Sequence, residues 1–300
     1  MSGTAGKEGL GEAAGSSTPP TLLPPTAPEE TANARNKANH RTVWPYGNYR
    51  SYYSFRPAAS SNTESAPPAD SLDGRLAFLD RQLFAGKRLL DIGTNSGKIA
   101  FDALRHMGAA SVVGVDIDPL LIEDAWRIAG ELGFAKGDDR LNFFAANVMD
   151  EGWLEEFVAS GTRRVDVITL FSITKWLHLH HGDAGMLRLF RSLHQVLPAG
   201  GVVIIEPQEW DNYKRAVKRN KDLRETFKAI KLRPPFEDEM REAGFELEQR
   251  IEREEGGFNV SFPYLHRIAT LRLPPIPPPK LRLVLPHVCL ACRPNTPNFE

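Results

Sequence analysis

The sequence predicts an α/β fold: a mostly parallel seven-stranded sheet with an antiparallel edge pair and helices on both faces. Three observations lead there. Short apolar runs alternate with longer stretches of helical periodicity between Arg75 and Glu206. A glycine-containing turn follows the first run, and an aspartate closes the second. Two further strand-like runs come late, joined around Gly256 and Gly257. Alternation at this spacing builds parallel βαβ units.

Taken in order, strands are expected over Arg88–Ile92, Ser111–Asp116, Leu141–Ala146, Val165–Phe171 and Gly201–Glu206, each a short and largely apolar run. The gaps hold helical periodicity near Lys98–Met107, Leu120–Glu131, Glu151–Ala159 and Ala184–Val196. Glu246–Arg253 and Phe262–Leu273 then pair antiparallel at the sheet edge.

The chain ends read differently. Residues 1–40 are rich in Gly, Ala, Ser, Thr, Pro and Glu and contain no Phe, Trp or Tyr. They bury too little apolar surface to offset their ordering entropy, so a disordered tail is expected. A single domain follows over residues 41–273. Its first part, residues 41–57, includes WPYGNYRSYYSFRP, a crowd of rings expected to dock on the core or cover a site as an aromatic lid. Residues 58–72 form a Pro- and Ser-rich linker, and residues 274–300, opening PPIPPP, a C-terminal tail.

Composition narrows the function. A 300-residue chain with 41% hydrophobic and 25% charged residues is that of a globular protein. No run approaches the roughly eighteen apolar residues of a membrane span, and no membrane role is expected. The formal net charge of −1 excludes a polycation, though a local basic patch can still meet nucleic acid. Cys289 and Cys292 are the only cysteines, which rules out a disulfide scaffold. A zinc site would need two further ligands, and no metal is expected.

The most informative stretch is LLDIGTNSGKIAFDALRHMGAASVVGVDID, Leu89 to Asp118. A strand ends at Asp91, a turn carries Gly93 and Gly97, a helix follows, and a second strand ends at Asp116. Ligands of open α/β sheets bind where strands end and helices begin. A dinucleotide fingerprint requires G-x-G-x-x-G, and this turn lacks its second and third glycines. S-adenosylmethionine has no phosphate and suits the looser D-x-G-x-x-x-G. In that reading Asp91 helps position the methionine ammonium, Asp116 the ribose hydroxyls, and Asn147 sits by the adenine.

Two segments should overhang the same crevice: SITKWLHLHHG after the fourth strand and EPQEWDNY after the fifth. They offer Lys175, His178, His180, His181, Trp176, Trp210 and Tyr213, which suit a phosphorylated substrate or a stacked nucleotide. Lys214–Arg233 follows with nine Lys or Arg against two acids, a net +7. Leu223, Phe227 and Ile230 fall on one face of a helix there, leaving basic faces that could track a nucleic-acid backbone.

YGNYRSYYSFR at Tyr46–Arg56, DGRL at Asp73–Leu76, LDIGTNSG, VDID at Val115–Asp118, SITKWLHLHHGDAG at Ser172–Gly185 and EPQEW at Glu206–Trp210 carry a resemblance. From about Tyr46 to Leu271 the chain resembles the methylphosphate capping enzymes, the bicoid-interacting-protein-3 family of RNA methyltransferases. Thr94 stands where that family usually has Cys, and Glu209 where it usually has Pro. The resemblance implies a Rossmann-like S-adenosylmethionine-dependent methyltransferase. Its acceptor would be the 5′-terminal (gamma) phosphate of a small non-coding RNA. Tyr53 and Arg75 would contact the cofactor, with Gly93, Thr94, Asn95, Asp116, Ile117, Asn147, Val148 and Phe171 completing its pocket. Lys175, Tyr213, Lys214 and Arg215 would hold the phosphate. The family further implies a monomer, ribonucleoprotein partners, and residence in the nucleus, with the cytoplasm as the alternative. Two rival readings remain: a non-catalytic RNA-binding chaperone, and a methyltransferase of 5′-monophosphate RNA.

Overall fold

The sheet grows outward from its most apolar strands. A computed structural model describes residues 34–36, 41–43, 45–50, 52–55, 71–135, 137–159, 164–255 and 264–274. Its strands are β1 (Ala34–Asn36), β2 (Arg41–Val43), β3 (Arg88–Ile92), β4 (Ser111–Asp116), β5 (Leu141–Ala145), β6 (Val167–Phe171), β7 (Val202–Glu206), β8 (Glu246–Glu255) and β9 (Tyr264–Arg272). The helices are α1 (Gly74–Ala77), α2 (Lys98–Arg105), α3 (Pro119–Glu131), α4 (Trp153–Ala159), α5 (Thr174–Val196), α6 (Trp210–Arg219), α7 (Arg224–Ala229) and α8 (Glu237–Glu242).

β3 to β9 form one sheet in the order β5-β4-β3-β6-β7-β9-β8. The first five strands run parallel, and β9 pairs antiparallel with both β7 and β8. β6 (VITLF) and β7 (VVIIE) are buried along their whole length, as strands covered on both faces must be. Strand order reverses beside β3, which opens a crevice at the carboxyl ends of β3, β4 and β6.

The two faces have separate cores. Ile99, Phe101, Ala125 and Phe143 pack with Leu76 and Phe84 on one side. Met186, Phe190, Leu193 and Phe236 pack on Ile168 and Val203 on the other. At the turn into α3, Asp118 accepts from Leu120 N at 2.9 Å and Pro119 occupies the first helical position.

The mostly parallel sheet with an antiparallel edge pair stands as the sequence predicts. Two helical segments differ. The helix expected near Ala184–Val196 starts earlier, since α5 already begins at Thr174 and is broken only at Gly182 (φ 62°, ψ −172°). The buried Trp176, Leu177 and Leu179 give that first half its own apolar face. Lys214–Arg233 is not one helix either. Asn220 takes an extended conformation (φ −122°, ψ 110°), and its side chain accepts from Asp222 N, separating α6 from α7. Leu223 and Ile230 are nevertheless buried, as their spacing implies.

Ala34–Asn36, inside the expected N-terminal tail, pairs with β2 through main-chain register. The rest of that tail, most of the 58–72 linker, the Gly256–Gly257 connection and nearly all of the C-terminal tail lie outside the described residues.

Candidate active site

A pocket sits at the carboxyl ends of β3, β4 and β6, lined on one side by Tyr46, Gly47, Asn48, Tyr52 and Tyr53. Of the sequence-predicted positions, Tyr53, Asp91, Gly93, Asn95, Asp116, Ile117, Asn147, Val148 and Phe171 line it. Tyr46, Gly47, Asn48, Ile99, Ser172, Ile173, Trp176, His180 and His181 also contribute to its wall. Part of the aromatic segment therefore lines this pocket.

The turn after β3 is shaped by its backbone. Gly93 has φ +78°, and a Cβ there would collide with the side chain of Ile173. Asn95 (φ 52°) and Ser172 (φ 56°) adopt left-handed conformations without being glycine, and both line the cavity. Such strain gathers where the surrounding structure holds it for a purpose.

Two buried carboxylates face the pocket with different partners. Asp116 Oδ2 accepts from Asn95 N at 2.9 Å and Oδ1 from Asp118 N at 3.1 Å. Burial nevertheless dominates and pushes its carboxyl up to about 6. Asp91 Oδ1 accepts from Thr169 Oγ1 at 2.7 Å, and burial raises its carboxyl against the pull of Thr169 and Thr94.

The cover is stitched down by polar contacts. Asn48 Nδ2 donates to Asp118 Oδ2 at 2.5 Å, Asn95 Nδ2 to Tyr49 O at 3.2 Å, and Arg50 pairs with Asp124 at 3.1 Å. His180 Nε2 lies 2.8 Å from Pro45 O, with its ring tilted on Tyr46. Asn48 Oδ1 is buried, yet no hydrogen-bond partner for it is found among the described residues. A buried acceptor left this way in a cavity wall invites a ligand donor.

Two expected cofactor contacts do not reach the cavity wall. The Arg75 guanidinium is taken up by Asp73 at 2.8 and 2.9 Å and by Glu206 at 3.5 Å. It lies under the wall, 4.9 Å from the Phe171 ring centroid and 6.0 Å from that of Tyr53. Arg75 therefore supports the floor. Thr94 is also fully buried, beneath the turn and beside Asp91.

Lys175 stands next to the cavity, half-buried, with its ammonium 4.4 Å from the Trp176 ring centroid. Burial, then the charges of Arg219 and Arg215, pull it down to about 8. Those arginines are exposed and lie four residues apart on α6, on one helical face. Lys214 is exposed and pairs with Asp211 at 2.8 Å. Tyr213 requires a correction. It is fully buried, its hydroxyl 3.3 Å from His178 Nδ1, in a cluster with Trp176 and Leu179. Burial raises its hydroxyl pKa, and no face is left for a phosphate.

His178 is structural as well. It is buried and bonds Asp183 Oδ1 at 2.8 Å across the Gly182 break. Trp210 is packed among Tyr213, Phe227 and Arg233, whose guanidinium lies 3.7 Å from the indole centroid. Sequence reasoning missed Asn48, Ile173 and Gln208 as site residues. Their positions inside YGNY, SITK and EPQEW were the available signal.

This strand order, with a glycine turn after the first parallel strand and a buried acid at the tip of the second, defines a Rossmann-like methyltransferase. Among the described residues, no helix is long and apolar enough to cross a membrane. The profile of the bicoid-interacting protein 3 family matches residues 165–265, and that of ribosomal protein L11 methyltransferase matches residues 73–130. The "U6 snRNA methylphosphate capping enzyme Amus" of Drosophila melanogaster is 36% identical over 67% of this chain and 66% of its own length. A "Probable RNA methyltransferase" of Arabidopsis thaliana is 30% identical over 66% of this chain and 71% of its own. A "Pre-miRNA 5'-monophosphate methyltransferase" of Danio rerio is 28% identical over 63% and 78% respectively. Across such relatives the match takes in from 33% to 78% of the relative's length. The chain belongs to the bicoid-interacting protein 3 family.

Proposed function

We propose that this protein transfers a methyl group from S-adenosylmethionine to the 5′-terminal, gamma phosphate of a small non-coding RNA. The observation that carries the reading is the juxtaposition of two unlike surfaces. A cavity with buried acceptors has Trp176 in its wall, next in sequence to Lys175, and Lys175 feels the charges of Arg219 and Arg215.

The residues present fit that cofactor. Asp116 offers buried carboxylate oxygens for ribose hydroxyls, and Asp91 an anion for the ammonium. Asn48 Oδ1 is a further acceptor, and Ile117, Val148 and Phe171 give an apolar wall for the adenine. Gly93, Asn95, Asn147 and Tyr53 complete the enclosure. When bound, the cofactor supplies an electrophilic methyl group on a sulfonium.

The chain's own residues then have a limited task. A 5′ phosphate is already anionic near neutral pH, so no side chain needs to remove a proton from the attacking oxygen. Lys175 and Arg215, with Arg219 and Lys214 behind them, offset charge on the non-reacting oxygens and orient the terminal phosphate. Alignment of this kind is worth roughly 7–11 kcal/mol in favourable systems. Several cations in a row favour an end carrying more than one phosphate over a monophosphate. The basic residues of α6 and α7 extend the contact along the RNA backbone.

The test is methyl transfer from labelled cofactor to matched short RNAs bearing a 5′ triphosphate, monophosphate or hydroxyl. Label on the triphosphate RNA and none on the hydroxyl control is expected. Preference for the monophosphate would move the reading to that substrate. Tight RNA binding without label on any RNA would favour the chaperone reading.

A further inference from the structure

We propose that Gln208 is a positioning residue for Lys175, holding from the neighbouring strand end the strained turn that carries the phosphate-binding side chain. The inference rests on the reading of Lys175 given above and names what fixes it in place.

The turn between β6 and α5 cannot hold itself. Ser172 sits at φ 56°, an unfavourable conformation for a residue with a Cβ. The residue at the N-cap of α5 is Ile173, whose side chain makes no capping hydrogen bond. The first-turn N–H groups of a helix need outside acceptors, and an isoleucine side chain offers none.

Gln208 supplies what is missing. Its Oε1 accepts from Lys175 N at 2.9 Å and from Thr174 Oγ1 at 3.1 Å. Its Nε2 donates to the carbonyl oxygen of Ser172. One amide therefore engages three of the four residues from Ser172 to Lys175. Glu206, two residues earlier, accepts from Ser172 Oγ at 2.5 Å and is itself approached by Arg75. The side chains of β7 and the segment after it thus form a clamp on the turn, and Lys175 leaves that clamp directly. This gives a physical reason why the SITK and EPQEW segments occur in one chain.

The test compares affinities for a short RNA with a 5′ triphosphate and the same RNA with a 5′ hydroxyl, whose ratio isolates the phosphate contribution. Lys175→Ala is expected to lower that ratio about tenfold, the order of a charge-assisted contact. Gln208→Leu is expected to lower it roughly threefold to tenfold in the wild-type background and to add nothing in the Lys175→Ala background. Thermal unfolding and cofactor affinity are measured alongside. Should Gln208→Leu not fold, Thr174→Val is the substitute, with a loss of about twofold to threefold by the same logic.

A ratio untouched by Gln208→Leu, while Lys175→Ala collapses it, overturns the positioning role and leaves the Lys175 reading standing. An equal loss on top of Lys175→Ala also overturns it, because the amide would then act independently of Lys175. A ratio unaffected by Lys175→Ala removes the Lys175 reading and this inference together.

Discussion

Cofactor affinity should depend on pH through Asp116, and the dependence has a definite sign and size. Burial places this carboxyl at about 6, so it is mostly ionised at pH 8 and about one-tenth ionised at pH 5. In the proposed complex the ribose hydroxyls donate to this carboxylate and lose an acceptor site when it is protonated. Affinity should therefore hold level above pH 7 and fall about tenfold by pH 5, or about 1.4 kcal/mol. Stability moves the opposite way. A folded-state pKa raised above the unfolded value means that protonation favours the fold, so this stabilisation is full below about 4 and is lost as pH rises through 6. Calorimetric titration of a non-reactive cofactor analogue from pH 5 to 8 measures the first effect. Asp116→Asn should bind weakly throughout and lack the slope between pH 5 and 7. Level wild-type affinity across this range, or an equal slope in Asp116→Asn, would refute the argument.

Three further outcomes follow from the same geometry. In its proposed role Lys175 must be protonated to hold phosphate, so kcat/KM for phosphorylated RNA should fall as pH rises through about 8; Lys175→Arg, charged throughout, should lose that limb in a pH–rate profile. Asp73→Ala would leave the Arg75 guanidinium buried without its bidentate partner, at a cost of about 3–5 kcal/mol. Calorimetry should register this as a fall in Tm of roughly 10 °C or more. Gly47 has φ +71°, and a Cβ there would strike the Trp176 indole, so Gly47→Ala should displace the cover and weaken analogue binding by about tenfold, with little change in Tm.

Much of this fold is written locally. Arg88–Ile92 and Ser111–Asp116 were bounded to the residue because glycine turns and apolar runs delimit them. Asp91 and Asp116 stood out for the same reason, each placed where its strand ends. What failed depends on contacts distant in sequence. Arg75 and Tyr213 carry polar tips that read as ligand contacts, but burial against Asp73 and His178 occupies those tips. The helix expected from Ala184 begins ten residues earlier, where Trp176, Leu177 and Leu179 bury a helical face. Asn220 breaks the basic segment by capping Asp222, a competition that the apolar spacing on either side conceals. Gln208 reaches across 33 positions to Lys175, and no local pattern announces that.

The most direct measurement is mass spectrometry of the 5′-terminal nucleotide released from a triphosphate RNA after reaction with the protein and S-adenosylmethionine. The account predicts one added methyl group on the terminal phosphate, in lower yield at limiting cofactor when Asp116→Asn replaces the wild-type protein. A methyl group on a base or a ribose would contradict it.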